Sequence, residues 1–510
     1  MNCFLRLLTA ALFLNIAIHG GPTYAQEAET AIPVAQLRED LRVVRGALEE
    51  SHVGLYWFIS RQELERRFEE VSAALVRPMT AREFHRLLLP LVASLRHGHT
   101  TLTLPSQGVG YRLRRLSKER RYFPFEVRVL ENRLYVVSDL SEEQNVAPGA
   151  QILAINGRPA SALLDTMRGY VSADGANDTF KVYQLGSGFQ FPYLLDLLFG
   201  PSNTYTMDVV PISGKAKIRR TASAVPPERM ARLYRERTGR EIDTYPSALR
   251  LQMLGDGVAL LTVSSFYEGL IKPGEPSFEA FLSSAFRQIK EGRVKDLIVD
   301  VRGNEGGNDS YPPLLYSYLA DKPFRLAKPT TLASASVSFL PYAPNPAEDV
   351  KAFAAAPARF VSRARDGSWV LKAEYDADRY RTWTPQPDRF TGRLYVLTDG
   401  GAFSATNGFL DLVYRYHRRE GRQVQFVGEQ NGGDNAFGFG SGGQALAIVL
   451  PHSRQTLSIP LLGSRQHFAD AVPKAVIPDH PIRPSIQDVI AGTDRELVFV
   501  RDLIARQRGQ

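Results

Sequence analysis

The sequence predicts an α/β protein built from several units, and three observations carry that expectation. Apolar residues at helical spacing run through residues 33 to 93. Alternating apolar residues, broken by Pro148-Gly149 and Asn156-Gly157 turns, fill about 122 to 222. From 245 onward, strands apolar on both faces alternate with a helical pattern, which predicts a βαβ-based layered domain with parallel strands. A chain of 510 residues is also too long for one ordinary domain, and 44% hydrophobic with 23% charged residues is the balance of a globular protein.

At the N-terminus, Arg6, the apolar run Leu7 to Ile18 and small-residue cleavage chemistry at Thr23 and Ala25 predict a signal peptide over residues 1–25, with a mature chain starting near Gln26. The only cysteine, Cys3, precedes the apolar run, so it is wrongly placed for lipid anchoring and leaves neither disulfides nor cysteine catalysis to the mature chain. No later stretch approaches the ~18 uninterrupted apolar residues of a membrane span. The expectation is a soluble exported protein, periplasmic or extracellular, without an integral membrane segment once the signal is removed. The net charge of +8 is spread over 62 basic and 54 acidic residues with no recognisable nucleic-acid module, so no nucleic acid is expected as partner.

A helical domain is expected over 30–105, with Leu37, Leu41, Val44 and Leu48 on one face and Phe84, Leu87, Leu88 and Leu91 on another. It ends at LRHGHTTLTLP, where Thr101 to Leu104 switch to strand alternation. After the basic linker Arg112 to Arg121 comes a compact β-rich module, 122–222. The core, 245–485, opens on the strand GVALLTVSSF, and Ser277 then caps a helix whose Phe278, Phe281, Leu282, Ala285 and Ile289 share a face and which Gly292 ends. DLIVDVRGN and LYVLTD are buried strands, and VQFVGE, ALAIVLP and LSIP are expected to continue the sheet. A C-terminal helical tail occupies 486–510.

Strand ends are where an open α/β sheet exposes its ligands. In RGNEGGNDS, Gly306 and Gly307 free the backbone to approach a substrate and to aim N–H groups into a cleft. In LYVLTDGGAFSATNGFLDLV, a buried strand runs through a glycine turn into a helix and leaves Ser404 at the helix entrance, beside unpaired N–H groups. Serine is equally a favoured N-cap, so the plain alternative is that Ser404 only satisfies the first turn. A nucleophilic serine needs a base, and no lysine occurs from Ser404 to Val472. Of the nine histidines, His19 lies in the signal peptide and His85 in a helical stripe. His99, on a glycine-flexed turn entering a strand, is the best candidate and His97 the weaker one. Two histidines at i and i+2 also offer metal ligands, but no nearby carboxylate or cysteine completes a set, so neither a metal nor another cofactor is expected.

Taken in order, these segments resemble the S41 serine peptidases, the family of C-terminal processing (tail-specific) proteases, tricorn core proteases and interphotoreceptor retinoid-binding protein. GHTTL is similar to the family's histidine motif, VAPGAQILAINGRP to its PDZ-type module, LIVDVRGNEGG to its glycine loop and AFSATNGF to its nucleophile motif. VGEQNGG (427–433) and AVIPDHPI (475–482) resemble its downstream motifs. The resemblance implies a crotonase (ClpP)-like layered core with an inserted PDZ-like module and an N-terminal helical domain. It also implies the tricorn-type Ser-His chemistry, since the lysine of the processing proteases is missing. Ser404 is then the nucleophile, His99 the general base, and the N–H groups of Ala405 and of Gly306 or Gly307 the oxyanion hole. Gly98 stands where tricorn-type members carry serine, Asn407 where many members carry glutamate, and Glu429 and Asp470 are the candidate acid partners of His99. The implied activity is an exported serine endopeptidase acting on extended or unfolded polypeptides; the alternative is a non-catalytic ligand-binding protein on the same scaffold.

Overall fold

The computed structural model describes residues 30–105, 112–113, 115–243, 247–272, 274–326, 329–418, 421–434, 437–439, 445–465 and 475–509. The expected signal peptide, with Cys3, and Asp470 lie outside the described residues. No described helix is long and apolar enough to cross a membrane.

The N-terminal segment folds as three helices, Val34–Ser51, Arg61–Ala74 and Ala81–Ser94. Leu37, Leu41, Val44 and Leu48 share the buried face of the first, as a 3.6-residue period demands. Thr80 and Glu83 form a reciprocal capping box that starts the third helix, satisfying two N–H groups its own turns cannot reach. His85 on that helix is packed, with Nδ1 2.7 Å from Gln455 Oε1 and Nε2 3.0 Å from the Tyr193 hydroxyl.

Next in the chain is an antiparallel sheet in the order Phe125–Leu130, Arg133–Asp139, Gln151–Ile155, Thr204–Val210, Ile218–Ser223, with Arg158–Pro159 paired to Gln151–Ile155. Glu131 and Asn132 both take positive φ in the tight connection between its first two strands. The module is less purely β than expected. Between its strands lie helices Ala160–Arg168, Thr179–Leu185 and Gln190–Phe199, whose Leu163, Leu164, Met167, Leu185 and Phe191 bury in one core with the sheet.

The core sheet runs Val424–Gly428, Arg393–Thr398, Asp296–Asp300, Val258–Val263, Leu249–Gly255; the first four strands are parallel and the last is an antiparallel edge. The inner strands Val258–Val263, Asp296–Asp300 and Arg393–Thr398 are largely apolar because both their faces are covered. Helices Phe278–Glu291, Tyr311–Ser317 and Ala405–Leu412 pack against Ala259, Leu261, Leu297, Val299 and Val396. On the opposite face, Val500 and Ile504 of the C-terminal helix Arg495–Arg508 cover Leu260, Ile298, Tyr395 and Leu397. Ser277 caps the first of these helices and Gly292 ends it, as expected.

One expectation is corrected. VQFVG joins the parallel sheet, but Ala445–Val449 and Thr456–Pro460 do not; they form a separate antiparallel sheet with Thr101–Thr103. Their residues alternate between buried and partly exposed, and the inward Leu446, Ile448, Leu457 and Ile459 join the N-terminal helical core rather than that of the parallel sheet. Short apolar runs carry no mark of which sheet they enter.

Candidate active site

Two loops at the C-terminal ends of neighbouring parallel strands build the site. The strand Arg393–Thr398 ends in Asp399, whose Oδ1 accepts the N–H groups of Gly401 at 2.9 Å and of Gly303 at 2.8 Å, tying both loops together. Burial, partly opposed by those N–H groups, raises the Asp399 carboxyl above its usual range. Asn304, fully buried, is the second tie. Its Nδ2 donates to Val263 O at 2.9 Å, its Oδ1 accepts Gly306 N–H at 2.9 Å, and its carbonyl accepts Phe403 N–H and the Thr406 hydroxyl at 3.0 and 2.8 Å. Neither Asp399 nor Asn304 was expected as a site residue. LTDGG and RGN carry the signal, a carboxylate or amide next to glycine at a strand end, which is where side chains bond neighbouring backbone.

Ser404 takes φ 57° and ψ −123°, a region that costs a non-glycine residue about 1–3 kcal/mol. It stands at the entrance of helix Ala405–Leu412, yet its side chain makes no capping bond. The hydroxyl instead lies 2.9 Å from His99 Nε2. The strain turns the hydroxyl away from the helix it would otherwise cap, which disposes of the plain N-cap alternative.

His99 reaches Ser404 from the N-terminal segment, held by the pairing of Thr101–Thr103 with Thr456–Ser458. Its ring stacks on Phe403 at 4.8 Å, and Phe403 stacks on Phe180 at 4.2 Å. Burial lowers the His99 imidazole to about 4, so near neutrality it is uncharged and able to accept a proton. Gly98 leaves no room for a side chain, since a Cβ there would stand 2.5 Å from Phe403 Cζ and 3.2 Å from Asp174 Oδ1. The serine of tricorn-type chains would therefore displace Phe403.

Gly306 takes φ +102°, and a Cβ on it would lie 2.6 Å from Ser404 Cβ and 2.9 Å from Ala405 N. Its N–H is committed to Asn304, and Gly307, the other glycine of the expected pair, packs against the backbone of Phe266 and Tyr267. Ala405 is the first residue of its helix, so its N–H has no intrahelical acceptor.

Of the candidate acids, Glu429 meets Arg483 Nε at 2.8 Å. Burial, opposed by that guanidinium, raises its carboxyl. The reasoning that no carboxylate accompanies the two histidines is corrected: Asp174, on the loop before helix Thr179–Leu185, offers an oxygen that together with one ring nitrogen each of His97 and His99 forms a group within 4.8 Å. Asp174 Oδ1 accepts Gly98 N–H at 2.7 Å, and burial pushes its carboxyl up to about 7. Nothing local in VSADGAND marks this residue, because the contact spans the β-rich module. Asn407 bonds Asn431 at 2.8 Å, and Asn431 Oδ1 in turn accepts Val476 N–H at 2.6 Å, so the VGEQNGG and AVIPD segments close on the elbow helix.

A hydroxyl under a neutral imidazole, beside the first N–H of a helix at Ala405, is an arrangement suited to attack on a carbonyl. Residues 257–439 match the sequence profile of Peptidase family S41. No curated protein matches the chain. Among solved structures, the crystal structure of mature CPAF aligns over 93% of this chain and 97% of its own with a TM-score of 0.60 at 14% identity. Mature CPAF complexed with lactacystin aligns over 93% and 98% with a TM-score of 0.60 at 15% identity. At such identities the likeness is one of fold, and it extends across the helical segment, the β-rich module and the layered core. The profile of Peptidase family S41 lies over the glycine loop and the Ser404 elbow, within residues 257–439, and with it the protein is a serine peptidase.

Proposed function

We propose that the protein is an exported endopeptidase that cleaves extended or unfolded polypeptides by a Ser-His mechanism. The observation that carries this reading is the Ser404 hydroxyl, withdrawn from its helix by a strained backbone and bonded to His99 Nε2 at 2.9 Å. His99 removes the hydroxyl proton as Ser404 attacks the scissile carbonyl, and returns it to the leaving amine. The N–H groups of Ala405 and Gly307 receive the oxyanion, a contribution of about 10²–10³ in rate for each good donor. Asp174, which groups with His97 and His99 within 4.8 Å, is the carboxylate we propose to test as the partner of His99, since Glu429 is engaged by Arg483.

The strand Phe125–Leu130 is one edge of the β-rich sheet. In this reading the sheet is a PDZ-like module, and a peptide adding to its edge gains sequence-tolerant main-chain hydrogen bonds. The test is casein degradation by the mature chain beside Ser404→Ala and His99→Ala. Cleavage by the wild type, lost in both variants, and labelling of Ser404 by a serine-directed phosphonate are expected. Undiminished turnover in Ser404→Ala would sink the mechanism, and absence of both cleavage and labelling in the wild type would turn the reading toward a ligand-binding protein.

A further inference from the structure

We propose that His97, His99 and Asp174 bind a divalent transition-metal ion of the zinc type, and that this ion switches the peptidase off by taking its general base. The three donors come from two segments far apart in sequence and converge to within 4.8 Å of one another. Tetrahedral zinc with bonds of about 2.0–2.1 Å wants its donors about 3.3 Å apart, so the widest gap closes by roughly 1.5 Å, within the reach of side-chain rotation.

The environment has the features of a ligating set. His97 and Asp174 are 1% and 2% exposed, so the converging donors are shielded from solvent. Gly98 N–H fixes one Asp174 oxygen at 2.7 Å and so orients the other. The His52 ring stands edge-on to His97 at 4.7 Å and is itself anchored by Nε2 to the Thr100 hydroxyl at 2.8 Å, a supporting layer of the kind that holds ligand rings in place. Two nitrogens and one oxygen suit zinc and its neighbours, whereas calcium and magnesium take all-oxygen sets. Three protein ligands leave a fourth position for water.

The consequence for catalysis follows from the imidazole. If the ion takes Nε2, it occupies the lone pair that faces Ser404. If it takes Nδ1, the neutral ring must carry its proton on Nε2, which then donates and cannot accept. Either way His99 no longer removes the Ser404 proton. This inhibitory consequence rests on the proposed role of His99; binding of the ion does not.

The experiment titrates metal-free full-length mature protein with Zn²⁺ by calorimetry and with Co²⁺ by its visible absorption, for the wild type, Ser404→Ala, His97→Gln and Asp174→Asn. One ion per chain is expected in the wild type and in Ser404→Ala, with affinity lower by at least about tenfold in each ligand variant. Casein turnover with zinc is then divided by turnover without it, each protein serving as its own reference. The ratio should fall in the wild type, recover with chelator, and stay near one for His97→Gln at the same zinc concentration. No binding to the wild type overturns the site, a result that needs no variant to fold. Equal binding by folded wild type and His97→Gln overturns it as well. Binding that depends on His97 in a protein that cleaves nothing would leave the metal site standing and remove the peptidase mechanism instead.

Discussion

Gly306→Ala is the sharpest probe of the active-site geometry. The new Cβ would lie 2.6 Å from Ser404 Cβ, 2.9 Å from Ala405 N and 3.0 Å from Phe403 O. Carbon atoms in contact sit about 3.5–4.0 Å apart, so the glycine loop and the nucleophile elbow must separate by roughly 1 Å. A misplacement of about 1 Å at reacting atoms costs on the order of 10²-fold in rate, or about 2.7 kcal/mol of barrier. The variant also places a side chain at φ +102°, which costs about 1–3 kcal/mol of stability by itself. Gly157→Ala separates the two effects, because that glycine also has positive φ, +76°, with nothing within 4 Å of its would-be Cβ. Casein kcat and KM, with thermal unfolding followed by circular dichroism, give the comparison. The expected result is a melting temperature lowered in both variants and kcat lowered only in Gly306→Ala. A folded Gly306→Ala enzyme within about threefold of wild-type kcat would refute the argument that this contact sets the position of Ser404.

Two further outcomes follow. Gly98→Ala pushes on Phe403, which is sandwiched between His99 and Phe180; overpacking of about 1–3 kcal/mol and a kcat loss of about tenfold or more are expected, with KM less affected, read from steady-state kinetics and melting curves. Burial holds the Glu429 carboxyl above its ordinary value, against the pull of Arg483, so the folded state binds the proton more tightly than the unfolded one. Its contribution to stability is present below the unfolded value and lost as pH rises through the folded one. Melting curves across acid to neutral pH should therefore show Glu429→Gln gaining on the wild type as pH rises, and a constant difference would contradict this environment for the carboxylate.

The parts of the site legible in the sequence are those made by local geometry. A strand, two glycines and a helix entrance announce Ser404, and paired glycines after LIVDVR announce the facing loop. His99 emerged by elimination among the histidines and by its turn. Asp174 was illegible because burial beside His99 is a property of a long-range loop packing, and the local sequence VSADGAND reads as an ordinary turn. The same limit misplaced ALAIVLP and LSIP: their period-two pattern announces strands, but only packing of Leu446, Ile448, Leu457 and Ile459 on the N-terminal helices decides which sheet receives them. Asp399 and Asn304 show a middle case, since their positions at strand ends are visible but the bridges between loops are not.

Ser404 and His99, hydrogen-bonded to each other, stand 305 positions apart, and the strand that follows His99 pairs with residues 456–458. A growing chain therefore releases His99 from the ribosome well before residues 456–458, the partners of that strand, have been made. Contacts of such separation form late, after the loop entropy between them has been overcome. Under the proposed mechanism, a chain still being made therefore holds no positioned general base before residues 456–458 have been added.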